Sequence, residues 1–227
     1  MLSTRLIFPA VIGFLGAAAL FWLGVWQLDR LEWKESVLAE IDARIVAEPV
    51  PIPENPTIFE HQFLPVEASG EYGPQSINVL ASTKQVGAIY RIIAPFRTTQ
   101  GRMILVDRGF VLDELRDAPR PIGVASITGN LHWPDEIDSY TPEPDLKAGI
   151  WFARDIAKMA EHLNTEPVLV VLRETSQTDN GLTPLPVDSS GIPNDHFEYA
   201  VTWFGLCIVW LAMSGLMIWR RLHQHES

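Results

Sequence analysis

Asn194–Leu206 reads NDHFEYAVTWFGL, a polar and acidic start that runs into a long apolar segment. His196, Tyr199 and Trp203 stand at i, i+3 and i+7, so on a helix an imidazole and two aromatic rings share one face. The neighbouring acids have a local explanation. Asp195 as N-cap with Glu198 at the third helical position makes a capping box in which a carboxylate replaces the usual hydroxyl, and both suit the positive end of the helix dipole. His196 is left over. Neutral imidazole is a good axial ligand for haem iron, and aromatic side chains cover the faces of a porphyrin. A second stretch, GVWQLDRLEWK, sets Trp22, Trp26, Arg30 and Lys34 at spacings of four with Gln27 and Trp33 beside them. Arg30 could pair with the propionates of such a group. The more ordinary reading of both stretches is an aromatic belt with basic anchors at a membrane interface, His196 being interfacial and Gln27 simply solvated. From residue types alone both readings stand.

The elements that must hold these residues are two apolar segments. Residues 6–26 and 199–219 each run 21 residues without a formal charge, and about 20 helical residues span a bilayer core of about 30 Å. Residues 27–198 hold 14 of the 17 Lys and Arg and 27 of the 28 Asp and Glu, a formal charge of −13. So acidic a segment argues against nucleic acid as a partner, since phosphates demand Lys and Arg, and disfavours docking on anionic lipid. Arg220, Arg221 and Arg5 mark the side of both chain ends as cytoplasmic. The segment 27–198 is therefore expected outside the cytoplasm, although Arg30 and Lys34 lie on that flank among Asp29, Glu32 and Glu35. A cleaved signal peptide is the alternative for the first span, with an h-region of typically about 7–15 residues against it. The lone Cys207 lies in the second span and excludes an intramolecular disulfide or a CxxCH haem attachment.

After the first span, QLDRLEWKESVLAEIDARIVAEP continues the helix outward to a connector with Pro49, Pro51, Pro53 and Pro56. Then the period changes. LPVEASGEY, SINVLAS, GAIYRIIAPF, RMILVDRGFV and GVASITGNL read as short strands bounded by turn residues, with imperfect alternation in Arg102–Phe110. WFARDIAKMAEHLN has Trp151, Phe152, Ile156, Met159, Ala160 and Leu163 at helical spacing. PVLVVLRET reads as a further buried strand, and TPLPVDSSGIPND as a loop back to the membrane. The expected fold is a membrane protein of α+β class: two transmembrane helices flanking a mainly antiparallel β domain, barrel- or sandwich-like, with one or two packed helices. Gly13 and Ala17 on the first span, and Gly205 and Ala212 with Gly215 adjacent on the second, are expected to let the two helices approach. The outer segment shows no GxSxG, HExxH or phosphate-cradling glycine loop, and His61, His132 and His162 are scattered. An enzyme such as a periplasmic hydrolase has little beneath it.

Five segments in order, GVWQLDRLEWK, GAIYRIIAPF with ILVDRGFV, ITGNLHWP, WFARDIAKMA and IPNDHFEYAVTWFGL, together resemble the surfeit locus protein 1 family of cytochrome oxidase assembly factors. The resemblance implies a non-catalytic chaperone with two spans and an intervening domain in the periplasm or the intermembrane space. Only five residues precede the first span, which favours a bacterial inner membrane. It also implies that haem a is bound and passed to the catalytic subunit of a haem–copper oxidase, with haem a synthase as a further partner. By that resemblance His196 would be the iron ligand and Trp26 and Trp203 the tryptophan pair; Tyr199 and Arg30 join them as lining from their residue types and spacing alone. A membrane scaffold that clamps an immature oxidase subunit without haem is the rival reading. Asp107 and Phe110 stand where Asn and Trp are expected in many relatives, and Cys207 stands in a normally aliphatic stretch.

Overall fold

The structure, a computed structural model, describes residues 4–83, 86–179 and 181–223, with side chains from Ile7 on, so that the Arg5 side chain and the amino terminus lie outside the described part. The chain divides into two compact units. One is a helix pair, the residues up to Glu40 with those from Ser189 on; the other is Ile41–Asp188. Helix α1 is Thr4–Ile45; it holds Pro9 and three glycines in its first half, and neither Gly nor Pro from Val25 to Ile45. A single turn, α2 (Ile58–His61), follows it in the chain, and helix α4 (His196–His223) supplies the other half of the pair. Both are long and apolar enough to cross a membrane.

The second unit is built on strands β1 (Val50–Pro51), β2 (Pro65–Tyr72), β3 (Ile77–Thr83), β4 (Gly87–Thr98), β5 (Met103–Val111), β6 (Gly123–Leu131), β7 (Ile150–Trp151) and β8 (Leu169–Thr175). Five of them close on one another in the order β2, β6, β8, β5, β4 and back to β2, a barrel with no free edge inside it. Four of the joints are antiparallel, and β5–β8 is parallel. The outer strands β1, β3 and β7 extend the sheet from β2 and β4.

Alternation explains the packing. On β5, Ile104 and Val106 point into the barrel while Leu105 points out; on β8, Val170 and Leu172 point in while Leu169 and Val171 point out. The outward set is covered by α3 (Ile156–Leu163), through Ile156, Met159, Ala160 and Leu163. Both faces of β5 and β8 are therefore buried, and their sequences lose the apolar–polar alternation of a half-exposed strand. Glycine permits the closure at two joints. A Cβ on Gly70 would stand 2.1 Å from the Arg97 carbonyl, and one on Gly129 would stand 2.3 Å from the Val171 carbonyl beside a bulge.

Helix α3 is shorter than its apolar stripe predicts. Asp155 caps it by accepting from the Lys158 N–H at 3.1 Å, and Asn164 ends it in the left-handed region at φ 54°. Trp151 thus belongs to β7, though it packs into the same cluster, and Phe152 faces out.

The carboxyl end of α1 is held inside this unit. The Ile45 carbonyl, one of the last in the helix and without a helical partner, accepts from Asn130 Nδ2 at 2.9 Å and from Arg173 Nη1 at 3.4 Å. Asn130 is fully buried and also donates to the Phe63 carbonyl at 3.0 Å. The Arg44 guanidinium donates to the Glu60 carbonyl.

On the outward face of β5, Asp107 is fully buried between two guanidinia, 2.7 Å from Arg91 and 3.3 Å from Arg154; Arg154 also pairs with Glu136. The carboxylate at a position where Asn was expected is thus matched by charge. His132 lies close by. Its backbone N–H donates to the Leu169 carbonyl at 3.0 Å. Gln62 accepts from the Trp133 N–H through Oε1, so its amide N–H is what faces His132 Nδ1 at 3.2 Å. Burial, and then the positive charge of Arg154 and Arg91, hold the His132 imidazole down at about 4, with Glu136 pulling the other way. A third group pairs Arg108 and Arg120 with Asp179, and Arg108 lies over the Tyr72 ring at 4.2 Å.

Two predictions follow from these buried groups. Asn130→Asp turns a double donor into an acceptor facing two carbonyls and is expected to cost roughly 1–3 kcal/mol or more; thermal unfolding of the detergent-solubilised chain reads it as a lowered Tm. His132 stays neutral in the native state until about pH 4, whereas in the unfolded chain it takes up its proton near about 6.5. Between those values the unfolded state binds more protons, so stability falls as pH drops through that window. His132→Gln is expected to flatten the slope of Tm against pH there, and an unchanged slope would remove His132 from the account.

Candidate functional site

The helix pair is built by large residues of α4 set into small residues of α1. On α1, Gly13, Ala17, Gly24 and Gln27 are buried, with Leu20 half-buried between them, a spacing of three and four that keeps one seam toward a partner helix. Trp210 packs on Gly16, where a Cβ would come within 2.5 Å of the indole. Phe204 packs on Gly24, and Ser214 on Gly13. The rings of Phe21 and Phe204 meet at 5.5 Å. Ala200 and Cys207 are the buried residues of α4. The expectation for Gly205, Ala212 and Gly215 is corrected here: Cβ atoms on Gly205 and Gly215 would meet nothing within 4 Å, because the close approach comes from aromatic residues filling α1's glycines.

Three polar contacts fix the antiparallel register. Trp210 Nε1 donates to the Gly13 carbonyl at 2.9 Å, Cys207 Sγ donates to the Ala17 carbonyl at 3.4 Å, and His196 Nδ1 lies 2.7 Å from Gln27 Oε1. Cys207, unexpected in an aliphatic stretch, thus has a use: a thiol is small enough for the seam and can donate. An amide oxygen only accepts, so a ring proton on Nδ1 would satisfy this contact and would leave the lone pair on the second ring nitrogen, Nε2.

Of the residues singled out by sequence, His196 opens α4 and is half-buried, and the Asp195 carbonyl accepts from the Tyr199 N–H at 3.2 Å, as an N-cap residue's does. Trp203 is half-buried, while Tyr199 and Trp26 remain 54% and 44% exposed. Arg30 lies over the Trp33 ring at 4.1 Å. The contact between the two groups is made by Gln27, next to Trp26 in the chain. Gln27 is 8% exposed and not solvated, so sequence reasoning missed its part. Its signal was its phase in the Gly13, Ala17, Leu20, Gly24 spacing. Two residues before His196, Asn194 Oδ1 is buried without a hydrogen-bond partner among the described residues.

These residues fit a flat apolar ligand carrying a metal: a half-buried imidazole with one nitrogen committed and the other free, aromatic faces not consumed by the helix seam, and an orphaned acceptor nearby. The other gathering of histidine and carboxylates, at His132, Glu136 and Asp107, is internally committed. Its carboxylates are bound to Arg154 and Arg91, and its imidazole nitrogen to Gln62. Among the described residues no three His, Cys, Asp or Glu side chains gather to hold a metal ion.

Comparison with known proteins agrees with the helix pair and barrel as one unit of descent. The family model described as "SURF1 family" matches residues 14–208, from within α1 to within α4. The chain is 27% identical over 215 residues to "Surfeit locus protein 1" of Rattus norvegicus, covering 84% of this chain and 69% of that protein. It is 30% identical to the protein of the same name from Xenopus tropicalis, with 83% and 69% covered. It is also 30% identical over 206 residues to a "SURF1-like protein" of Rickettsia felis, with 82% and 86% covered. With the match running from the first apolar helix into the second and through all the strands between them, the chain belongs to the SURF1 family, known as cytochrome oxidase assembly factors.

Proposed function

We propose that this chain is a two-span assembly factor of a bacterial inner membrane that holds haem a transiently and hands it to the catalytic subunit of a haem–copper oxidase. Haem a synthase stands on the supplying side. Both termini lie in the cytoplasm and the β unit in the periplasm, a reading supported by Arg220 and Arg221 beside the second span. The observation that carries the proposal is the half-buried His196, bound through Nδ1 to Gln27 and with no partner for Nε2 among the described residues. Nε2 would supply one axial ligand to iron, Trp203, Tyr199 and Trp26 would cover the ring, and Arg30 would pair with propionates. A carrier must surrender what it holds, and a single neutral imidazole suits that better than a closed pair of ligands.

Purify the full chain from cells that make haem a and compare it with His196→Ala. The variant is expected to lose most of the co-purifying haem and its visible absorption while still co-purifying with the oxidase subunit. Unchanged haem content would overturn the ligand assignment and leave a haem-independent scaffold. Topology has its own check. Tyr140 is 89% exposed, so Tyr140→Cys is expected to react in whole cells with a maleimide that crosses the outer but not the inner membrane; protection until the inner membrane is opened would reverse the orientation.

A further inference from the structure

We propose that Gln27 is a positioning residue: its amide oxygen selects the Nδ1–H tautomer of His196 and so turns the Nε2 lone pair into the site's ready metal donor. The inference rests on the haem-carrier reading for its purpose, but its physical content belongs to the empty protein. Three observations support it. Gln27 is buried on the seam of an apolar helix, where an amide without a partner is costly. Its Oε1 lies 2.7 Å from His196 Nδ1, within hydrogen-bond range, and an amide oxygen can only accept. Gln27 also follows Gly24 in α1's seam, so the packing of Phe204 on Gly24 holds the glutamine at the height where α4 begins.

An imidazole with no such partner can carry its proton on either nitrogen and can turn about its side-chain bond, and only one of those states presents Nε2 as a donor. Gln27 removes the others before any ligand arrives. Ligating histidines commonly give their second N–H to a carboxylate or a carbonyl oxygen, which fixes the tautomer and raises ligand basicity. A neutral amide does the first with less of the second than a carboxylate would. That suits a site whose ligand must leave again, and it makes the choice of Gln over Glu at position 27 a setting of affinity.

The test uses the full chain in detergent, with Gln27→Leu, Gln27→Glu and His196→Ala. The first readout needs no haem. Nitrogen-15 NMR of labelled histidine in the empty protein, at about pH 8, is expected to show His196 protonated on Nδ1 in the parent and in Gln27→Glu, and shifted to Nε2–H or to a mixture in Gln27→Leu. An Nε2–H parent, or a Gln27→Leu spectrum like the parent's, would overturn the proposal.

The second readout is haemin titration followed by transfer to apomyoglobin. Gln27→Leu is expected to weaken binding about 10- to 100-fold, the usual effect of losing such a partner. Gln27→Glu is expected to restore binding and slow the transfer. If the tautomer shifts as stated but haemin binds the parent and His196→Ala alike, the carrier reading fails while the tautomer assignment stands. If haemin binding needs His196 but is the same in Gln27→Leu, the positioning role fails and the carrier reading stands. Helical circular dichroism guards against unfolding, since the Trp210–Gly13 and Cys207–Ala17 contacts remain in every variant.

Discussion

A hydrogen-bond donor in an apolar medium without an acceptor costs several kcal/mol, and among the donors that α4 turns to α1 are His196, Cys207 and Trp210. Each finds its acceptor there: His196 at Gln27, Cys207 at the Ala17 carbonyl and Trp210 at the Gly13 carbonyl. Hydrophobicity does not drive one apolar helix against another in lipid, so these contacts, together with aromatic rings seated on glycines, decide how the pair aligns. A shift of α4 by one residue would strand all three donors at once. The position of the imidazole is thereby tied to packing two turns and more away, and the site inherits its precision from the seam.

The β unit meets a different constraint, the burial of both faces of its central strands. Ile104 and Val106 fill the barrel while Leu105 and Asp107 face outward, beneath a layer that includes α3. Most outward positions are apolar. Asp107 is the exception, and it requires Arg91 and Arg154 on either side. Ion pairs of this kind add little net stability compared with apolar packing, but removing one member leaves uncompensated buried charge. They therefore fix which side chains accompany which, and a carboxylate at 107 is tolerable only with that pair of arginines around it.

Much of this was legible in the sequence. The two spans, the strands and the helix after Trp151 follow from charge-free length and from periods of two and 3.6. The five ordered segments carried the family. The parallel β5–β8 joint was not legible, because a strand buried on both faces reads as a plain apolar run and carries no mark of its partner's direction. Gln27 was misread for a related reason: whether a polar side chain at interface depth is solvated or buried depends on the phase of the facing helix. Gly205 and Gly215 misled because small residues signal close approach only when the partner presents something large, and here α4 supplies the large side chains. The expectation that Trp26, Arg30, Tyr199 and Trp203 line one site rests on their spacing alone.

The place of β8 in the ring has a temporal side. It is the last barrel strand in the chain, yet it sits between β6 and β5, joining both. Until residues 169–175 have been synthesised, the ribbon of four earlier strands has two open edges, the kind of surface that recruits other chains. Its closing contacts are also among the most distant in sequence, Leu105 with Leu169 for instance, which slows the final step. Helix α4 begins only some twenty residues later in the chain. A chain cut or stalled before β8 is thus an open, adhesive sheet on a single membrane anchor, and quality-control proteases would meet it before its second helix exists.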